Sequence, residues 1–268
     1  MNDFTDQIRD LREEGDALYE TLKQLPDDAW DSPTQFKGWT PNDVIAHLYF
    51  TDVQGLASLE SRQKFQEMVA PLVAAMKRDD FIGETRRWSG DLAGPTLRER
   101  WHLHFHKMCD TLAASNPATR MAWYGPDMGL RMFASSRQME TWAHGQEIYD
   151  LLGLQRDNSD RIRHVCVMGV KTFGWTYINR GEPVPEPAPH IRLTAPSGAV
   201  WEWNEPQDDN RVEGPAVGFC QVVTQTRNAA EVGITTTGDT AAHWMQVAQC
   251  FAGPPTTPPP PGQRGPAR

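Results

Sequence analysis

Nowhere in these 268 residues does an apolar run approach the roughly 18 residues that a membrane-spanning helix needs, so no bilayer span is expected. The opening stretch, MNDFTDQIRDLREEGDALYE, is charged from its start and carries no secretory apolar segment. A cytoplasmic protein is the expectation. Lysine and arginine are few, 26 against 35 aspartates and glutamates, and they do not cluster. The formal net charge of -9 repels phosphate backbones, so neither DNA nor RNA is an expected partner. No Gly-rich loop joins a strand to a helix, so no nucleotide motif is present. The four cysteines, Cys109, Cys166, Cys220 and Cys250, form no C-x-x-C pair and lie among apolar neighbours. That is the pattern of buried free thiols, not of disulfides or zinc ligation.

What is present is helical pattern. Phe4, Ile8, Leu11, Leu18, Leu22 and Leu25 recur at spacings of three and four, with Gly15 at the missing step, and Pro26 ends the run. GWTPNDVIAHL announces a second helix: Thr40 can cap, Pro41 suits the first turn, and Asp43 completes a capping box. Residues 56–80 also look helical, with a break expected at Pro71 and a looser stretch over 83–94. TLRERWHLHFHKMCDTLAAS predicts a third long helix, and RMFASSRQMETWAHGQEIYDLLG a fourth, stopped at Gly153. Four long helices predict a four-helix bundle.

Beyond residue 154 the pattern changes. One helix is expected over about 159–179, then a Pro-rich break, GEPVPEPAPH. HIRLTAP and AVWEWNE alternate as strands, RVEGPAVGFCQVVTQTRN reads as a strand entering a helix, and TTTGDTAAHWMQVAQCFAG ends in another helix. The expected class is α+β. A helical bundle covers 1–155, a smaller C-terminal α/β domain covers 156–252, and a disordered Pro-rich tail covers 253–268.

Two sets of residues have the chemistry of a metal site. Glu140 and His144 are four apart and share a helix face with Phe133, Ile148 and Leu151. His47 lies beside Leu48 on the apolar side of its own helix. Two histidines and a carboxylate facing a bundle interior suit a metal with an open coordination position. The rival set is WHLHFHK, where His102 and His106 share a face and His104 points away. Spacing alone leaves the two sets level.

GWTPNDVIAHL followed by RQMETWAHGQEIYDLLG resembles the DinB-like superfamily. Within it the match is to the mycothiol-dependent maleylpyruvate isomerase group of actinobacterial metal-binding proteins. The WYGP loop at 123–126 is similar to a close subfamily of that group. The resemblance covers about residues 4–153, and the C-terminal part more loosely. It implies a DinB-like bundle and a divalent metal, usually Zn2+, on His47, Glu140 and His144. It further implies mycothiol or another low-molecular-weight thiol, whose sulfur reaches the open metal position. A metal lowers a thiol's pKa, and the thiolate then adds to an electrophilic carbon. Addition and elimination isomerise a conjugated double bond; in thiol transferases the thiol stays attached.

Around this set, Arg137 sits one turn before Glu140, within reach of that carboxylate or of a substrate's. Asp52 follows His47 on the same helix and could orient a histidine or a water. Trp123 and Tyr124 precede the Glu140 helix as candidate cofactor-pocket walls. Arg227 is a candidate anchor for an anionic substrate from the C-terminal part, where the isomerase family uses an arginine. The expected function is metal-dependent isomerisation or thiol conjugation of a small electrophilic, carboxylated molecule. The alternatives are a thiol-independent metal-dependent hydrolase, hydratase or cyclase, and a non-catalytic metal- or ligand-binding protein. A small-molecule substrate is the expected partner, the chain acting as a monomer or homodimer.

Overall fold

The three-and-four spacing of apolar residues from Phe4 is realised as helix α1, Phe4–Leu22, with Ile8, Leu11, Leu18 and Leu22 turned inward. The computed structural model describes residues 4–266 apart from 77, 79 and 126. It divides into two compact units, Met1–Gly153 and Leu154–Arg268.

The first unit continues with α2 (Pro41–Glu60), α3 (Arg62–Met76), α4 (Phe81–Ser89) and α5 (Gly94–Ala113). A two-stranded antiparallel ribbon, β1 (Arg120–Met121) and β2 (Met128–Gly129), leads into α6 (Leu130–Leu151). α1 packs on α5 and α6, and α2 packs on α5. Leu11, Leu18, Ile45, Leu48, Trp101, Phe105, Phe133 and Ile148 fill the space between them. The four long helices expected from the sequence are all present, and the capping box forms as read. The Asp43 amide donates to Thr40 Oγ1 at 3.2 Å, and the Thr40 amide to Asp43 Oδ2 at 2.9 Å.

Two expectations fail here. Pro71 lies inside α3 and does not break it. Ala70 and Pro71 are exposed, so the carbonyl left without an N–H partner one turn earlier faces solvent instead of a dry core. The stretch expected to be loose forms α4, stitched by Arg87 to Asp80 and Glu84 at 2.8 Å each.

Gly15 is where α1 and α5 approach. A Cβ there would stand 2.1 Å from Phe105 Cε1, and two further ring atoms lie within 2.7 Å. Alanine in place of glycine favours a helix by about 1 kcal/mol. Overpacking against a fully buried ring costs about 1–3 kcal/mol, and Phe105 has no exposed surface into which to retreat. Gly15→Ala is therefore expected to lower the thermal unfolding midpoint; a raised midpoint would refute the packing argument.

The second unit holds α7 (Arg163–Lys171), α8 (Phe173–Arg180), α9 (Ala216–Val223) and α10 (Asp239–Val247). Its sheet comprises β3 (His190–Thr194), β4 (Val200–Trp203), β5 (Arg211–Pro215) and β6 (Thr235–Thr237) in the order β4-β3-β5-β6. β3 runs parallel to β5 and the outer pairs are antiparallel. Ile191, Leu193 and Val212 are buried in register between their neighbours. The single helix expected over 159–179 is two short ones. Thr172 interrupts it, its hydroxyl donating back to the Met168 carbonyl at 2.8 Å in competition with the backbone ladder.

The Pro-rich tail forms no helix or strand among its described residues, and polar side chains meet it along its length. Prolines donate no N–H but keep their carbonyls, and polar side chains of the second unit use them. Gln249 Nε2 donates to Pro254 O at 3.2 Å, Asn228 Nδ2 to Pro259 O at 2.9 Å, and Arg264 donates to Gln225 O. Among the described residues no helix is long and apolar enough to cross a membrane.

Candidate metal centre

The turn before α2 builds one wall of the site. Lys37 (φ 53°) and Gly38 (φ 68°) take left-handed backbone conformations and fold the chain back, so that the Thr34 amide meets the Trp39 carbonyl at 2.8 Å. Trp39 is thus fixed immediately ahead of the Thr40 cap. Two turns into α2 comes His47, 8% exposed. Arg86 of α4 clamps the cap residue Asp43 through two bonds of 2.5 and 2.6 Å. Partial burial would raise the Asp43 carboxyl, but Arg86 and Thr40 outweigh it and hold it below the usual carboxylate range. The clamp ties α4, and with it Phe81, to the start of α2.

α6 supplies the other ligand pair. His47 Nε2 lies 3.2 Å from Glu140 Oε2, and His144 Nε2 lies 3.4 Å from the same oxygen. All three ligand atoms fall within 4.8 Å of one another. Around them stand Trp39, stacked on His144 at 5.5 Å and 6°, Phe36, edge-on to His144 at 5.3 Å, and Phe81, edge-on to His47 at 5.4 Å.

Electrostatics suit ligation. Burial pushes His47 down to about 4 against the opposing pull of Glu140, so its ring is neutral at physiological pH. Burial alone would raise Glu140; hydrogen bonds with His144 and His47 outweigh it and hold the carboxyl well below its ordinary range. The donor set fits a divalent ion on spacing. Ligand atoms on a tetrahedral ion with bonds of ~2.0–2.1 Å stand about 3.3 Å apart, and the two distances to Glu140 Oε2 bracket that value. Among the described residues His47 Nδ1 has no hydrogen-bond partner, so the polar contacts that the ring makes there are directed at the cluster.

Of the other residues singled out from sequence, Arg137 and Asp52 pair with each other. Arg137 Nε donates to Asp52 Oδ1 at 2.9 Å with both side chains almost wholly buried, and Trp101 Nε1 donates to Asp52 Oδ2 at 3.1 Å. Arg137 also donates from Nη2 to the Leu48 carbonyl at 3.4 Å. Asp52 makes no hydrogen bond to His47. Trp123 and Tyr124 pack around Phe65 of α3, and the Tyr124 hydroxyl donates to Gln54 Oε1 at 2.5 Å. Their ring partners are Phe65, Phe133 and each other, not the triad; Pro126 of the same loop lies outside the described residues. Arg227 belongs to the second unit, just past α9, buried, with Nη1 donating to Thr226 O at 2.8 Å.

Sequence reasoning missed Phe36, Trp39 and Phe81. Trp39 was within the GWTP motif that located the helix start; nothing local marked Phe36 or Phe81 as neighbours of a histidine.

Comparison with known proteins gives a consistent picture. Two uncharacterised proteins from two strains of Mycobacterium tuberculosis are each 34% identical over 249 residues, covering 92% of this chain and 96% of theirs. Among solved structures, the mycothiol-dependent maleylpyruvate isomerase shares the fold at a TM-score of 0.52 and 16% identity, covering 88% of this chain and 95% of its own. A histidine-to-alanine mutant of it matches at 0.53 and 15% with the same coverage. The mycothiol maleylpyruvate isomerase N-terminal domain matches residues 11–149, which span α1 to α6 and hold His47, Glu140 and His144. The chain belongs to the family defined by that domain.

Proposed function

We propose that this protein is a metal-dependent isomerase that uses a low-molecular-weight thiol, mycothiol or a close analogue, on a small electrophilic carboxylated substrate. The observation that carries the reading is the meeting of two imidazole Nε2 atoms on one Glu140 oxygen at 3.2 and 3.4 Å. Membership of a family whose domain is described by mycothiol and maleylpyruvate isomerase supports the choice of thiol and of reaction class.

His47, Glu140 and His144 would hold the ion, which when bound supplies a lowered thiol pKa and hence a nucleophile at neutral pH. The protein's part is arrangement. Neutral His47 offers a lone pair without first losing a proton. Glu140 brings one negative charge to offset the ion's, and three protein ligands leave a position open, as in catalytic sites and unlike closed structural ones. Trp39 and Phe36 pack their rings against the His144 imidazole, and Phe81 against that of His47. Arg137 and Asp52 lock α6 against α2 one turn from the ligands.

The test is a cobalt-substituted protein titrated with mycothiol. Thiol entry into the cobalt coordination sphere is expected to add an intense sulfur-to-metal charge-transfer band and to shift the visible d–d bands. A spectrum unchanged at saturating thiol would overturn the thiol part of the reading. Turnover of an unsaturated acid without thiol would instead favour the thiol-independent alternative.

A further inference from the structure

A second cluster lies elsewhere on the bundle, in the helix that carries the rival histidines. His102 and His106 are four apart on α5, and each points its Nε2 at Oδ1 of Asp16 on α1, both at 2.7 Å. We propose that Asp16, His102 and His106 form a second transition-metal site, for Zn2+, Ni2+ or Cu2+, bridging α1 and α5.

The donor chemistry is that of a borderline divalent ion: two imidazoles and one carboxylate, with all three ligand atoms within 4.8 Å. Each Nε2–Oδ1 separation has to open by roughly 0.6 Å to reach the ~3.3 Å edge of a tetrahedron with ~2.0 Å bonds. The side chains are 22%, 32% and 44% exposed, so that movement meets no packed core. Exposure also leaves the remaining positions open to water or an outside ligand.

Both rings are held before any ion arrives. Tyr19 stacks on His102 at 3.9 Å and 15°, and its hydroxyl is fixed in turn by Glu99 at 2.9 Å. His102 and His106 meet edge-on at 4.4 Å. Arg12 donates from Nη1 to His106 Nδ1 at 2.7 Å and from Nη2 to Asp110 at 2.6 Å.

Arg12 makes the idea sharply testable. A guanidinium only donates, so His106 Nδ1 must be a lone pair and its Nε2 carries the proton. Coordination through Nε2 requires the proton on Nδ1 instead, where it would face the Arg12 N–H. Arg12 must therefore swing away, and the guanidinium charge opposes the incoming cation. Arg12 supports the hydrogen-bonded network but competes with the metal. Removing it weakens a purely structural cluster and strengthens a metal site.

The experiment is a Zn2+ titration of the full-length, chelator-treated protein against a chromophoric competitor. His106→Ala and His102→Ala are each expected to bind one equivalent fewer than wild type. Arg12→Ala is expected to bind the equivalent that His106→Ala loses several-fold more tightly than wild type does. In wild-type protein, needing no variant to fold, sub-stoichiometric Cu2+ is expected to broaden amide NMR signals around residues 16, 102 and 106. A stoichiometry in His106→Ala equal to that of wild type, or no tightening in Arg12→Ala, would each overturn the site. Copper broadening that leaves those three positions untouched would do the same.

Discussion

Asp52→Ala is expected to destabilise the protein by about 3–5 kcal/mol, the cost of leaving a buried charge without its partner. Asp52 is fully buried and Arg137 is 1% exposed. The alanine variant keeps the guanidinium and removes the carboxylate that takes bonds from Arg137 and Trp101. Burial pushes the Asp52 carboxyl up to about 6 even though Arg137 pulls it down, so desolvation wins over attraction. A carboxyl raised in the fold contributes stability that is full below the ordinary carboxylate range and is lost as pH rises through about 6. Asp52→Asn is expected to flatten that part of the stability–pH curve. The double variant Asp52→Leu/Arg137→Met removes both charges and is expected to recover most of the loss, since apolar replacement of a buried pair is often neutral or stabilising. Urea midpoints of the singles and the double decide the matter. A double variant as unstable as Asp52→Ala would mean that the loss is one of shape, not of an uncompensated charge.

This pair also marks where the sequence stopped being legible. Helical phase correctly turned His47, Glu140 and His144 inward, because the period of 3.6 is a local property and each helix carried enough apolar neighbours to set its face. The capping box was legible for the same reason, with donor and acceptor three residues apart. Arg137 was seen only beside Glu140, its neighbour by one turn. Its partner Asp52 is 85 residues away on another helix, and no spacing rule reaches that far. Phe81 stands beside His47 for a similarly distant reason, the Arg86 clamp on Asp43. Pro71 misled because a proline's cost depends on whether the freed carbonyl faces water, and burial is a tertiary fact.

Glu140→Gln is the substitution expected to cost the metal centre most for the least change of shape. Glutamine keeps the carbonyl oxygen that the two rings approach but carries no charge, and its nitrogen is a donor that cannot ligate. Metal affinity should fall by more than the roughly 10–100-fold that losing an outer-shell partner costs, because the change is at a ligand itself and removes the charge that offsets the ion's. His47 would stay neutral, since burial is the larger influence on its ring and Glu140 is a partner that opposes that shift. The wild-type carboxyl, held well below its usual range by the two histidines, contributes stability that is present above the ordinary carboxylate range and lost as pH falls. In chelated protein the variant should therefore have a flatter acid limb than wild type, a readout independent of metal. Metal content of purified wild type and variant, measured alongside far-ultraviolet circular dichroism, separates loss of the ion from loss of the fold. Equal metal content in two folded proteins would remove Glu140 from the ligand set, and with it the reason two histidines from separate helices meet on one oxygen.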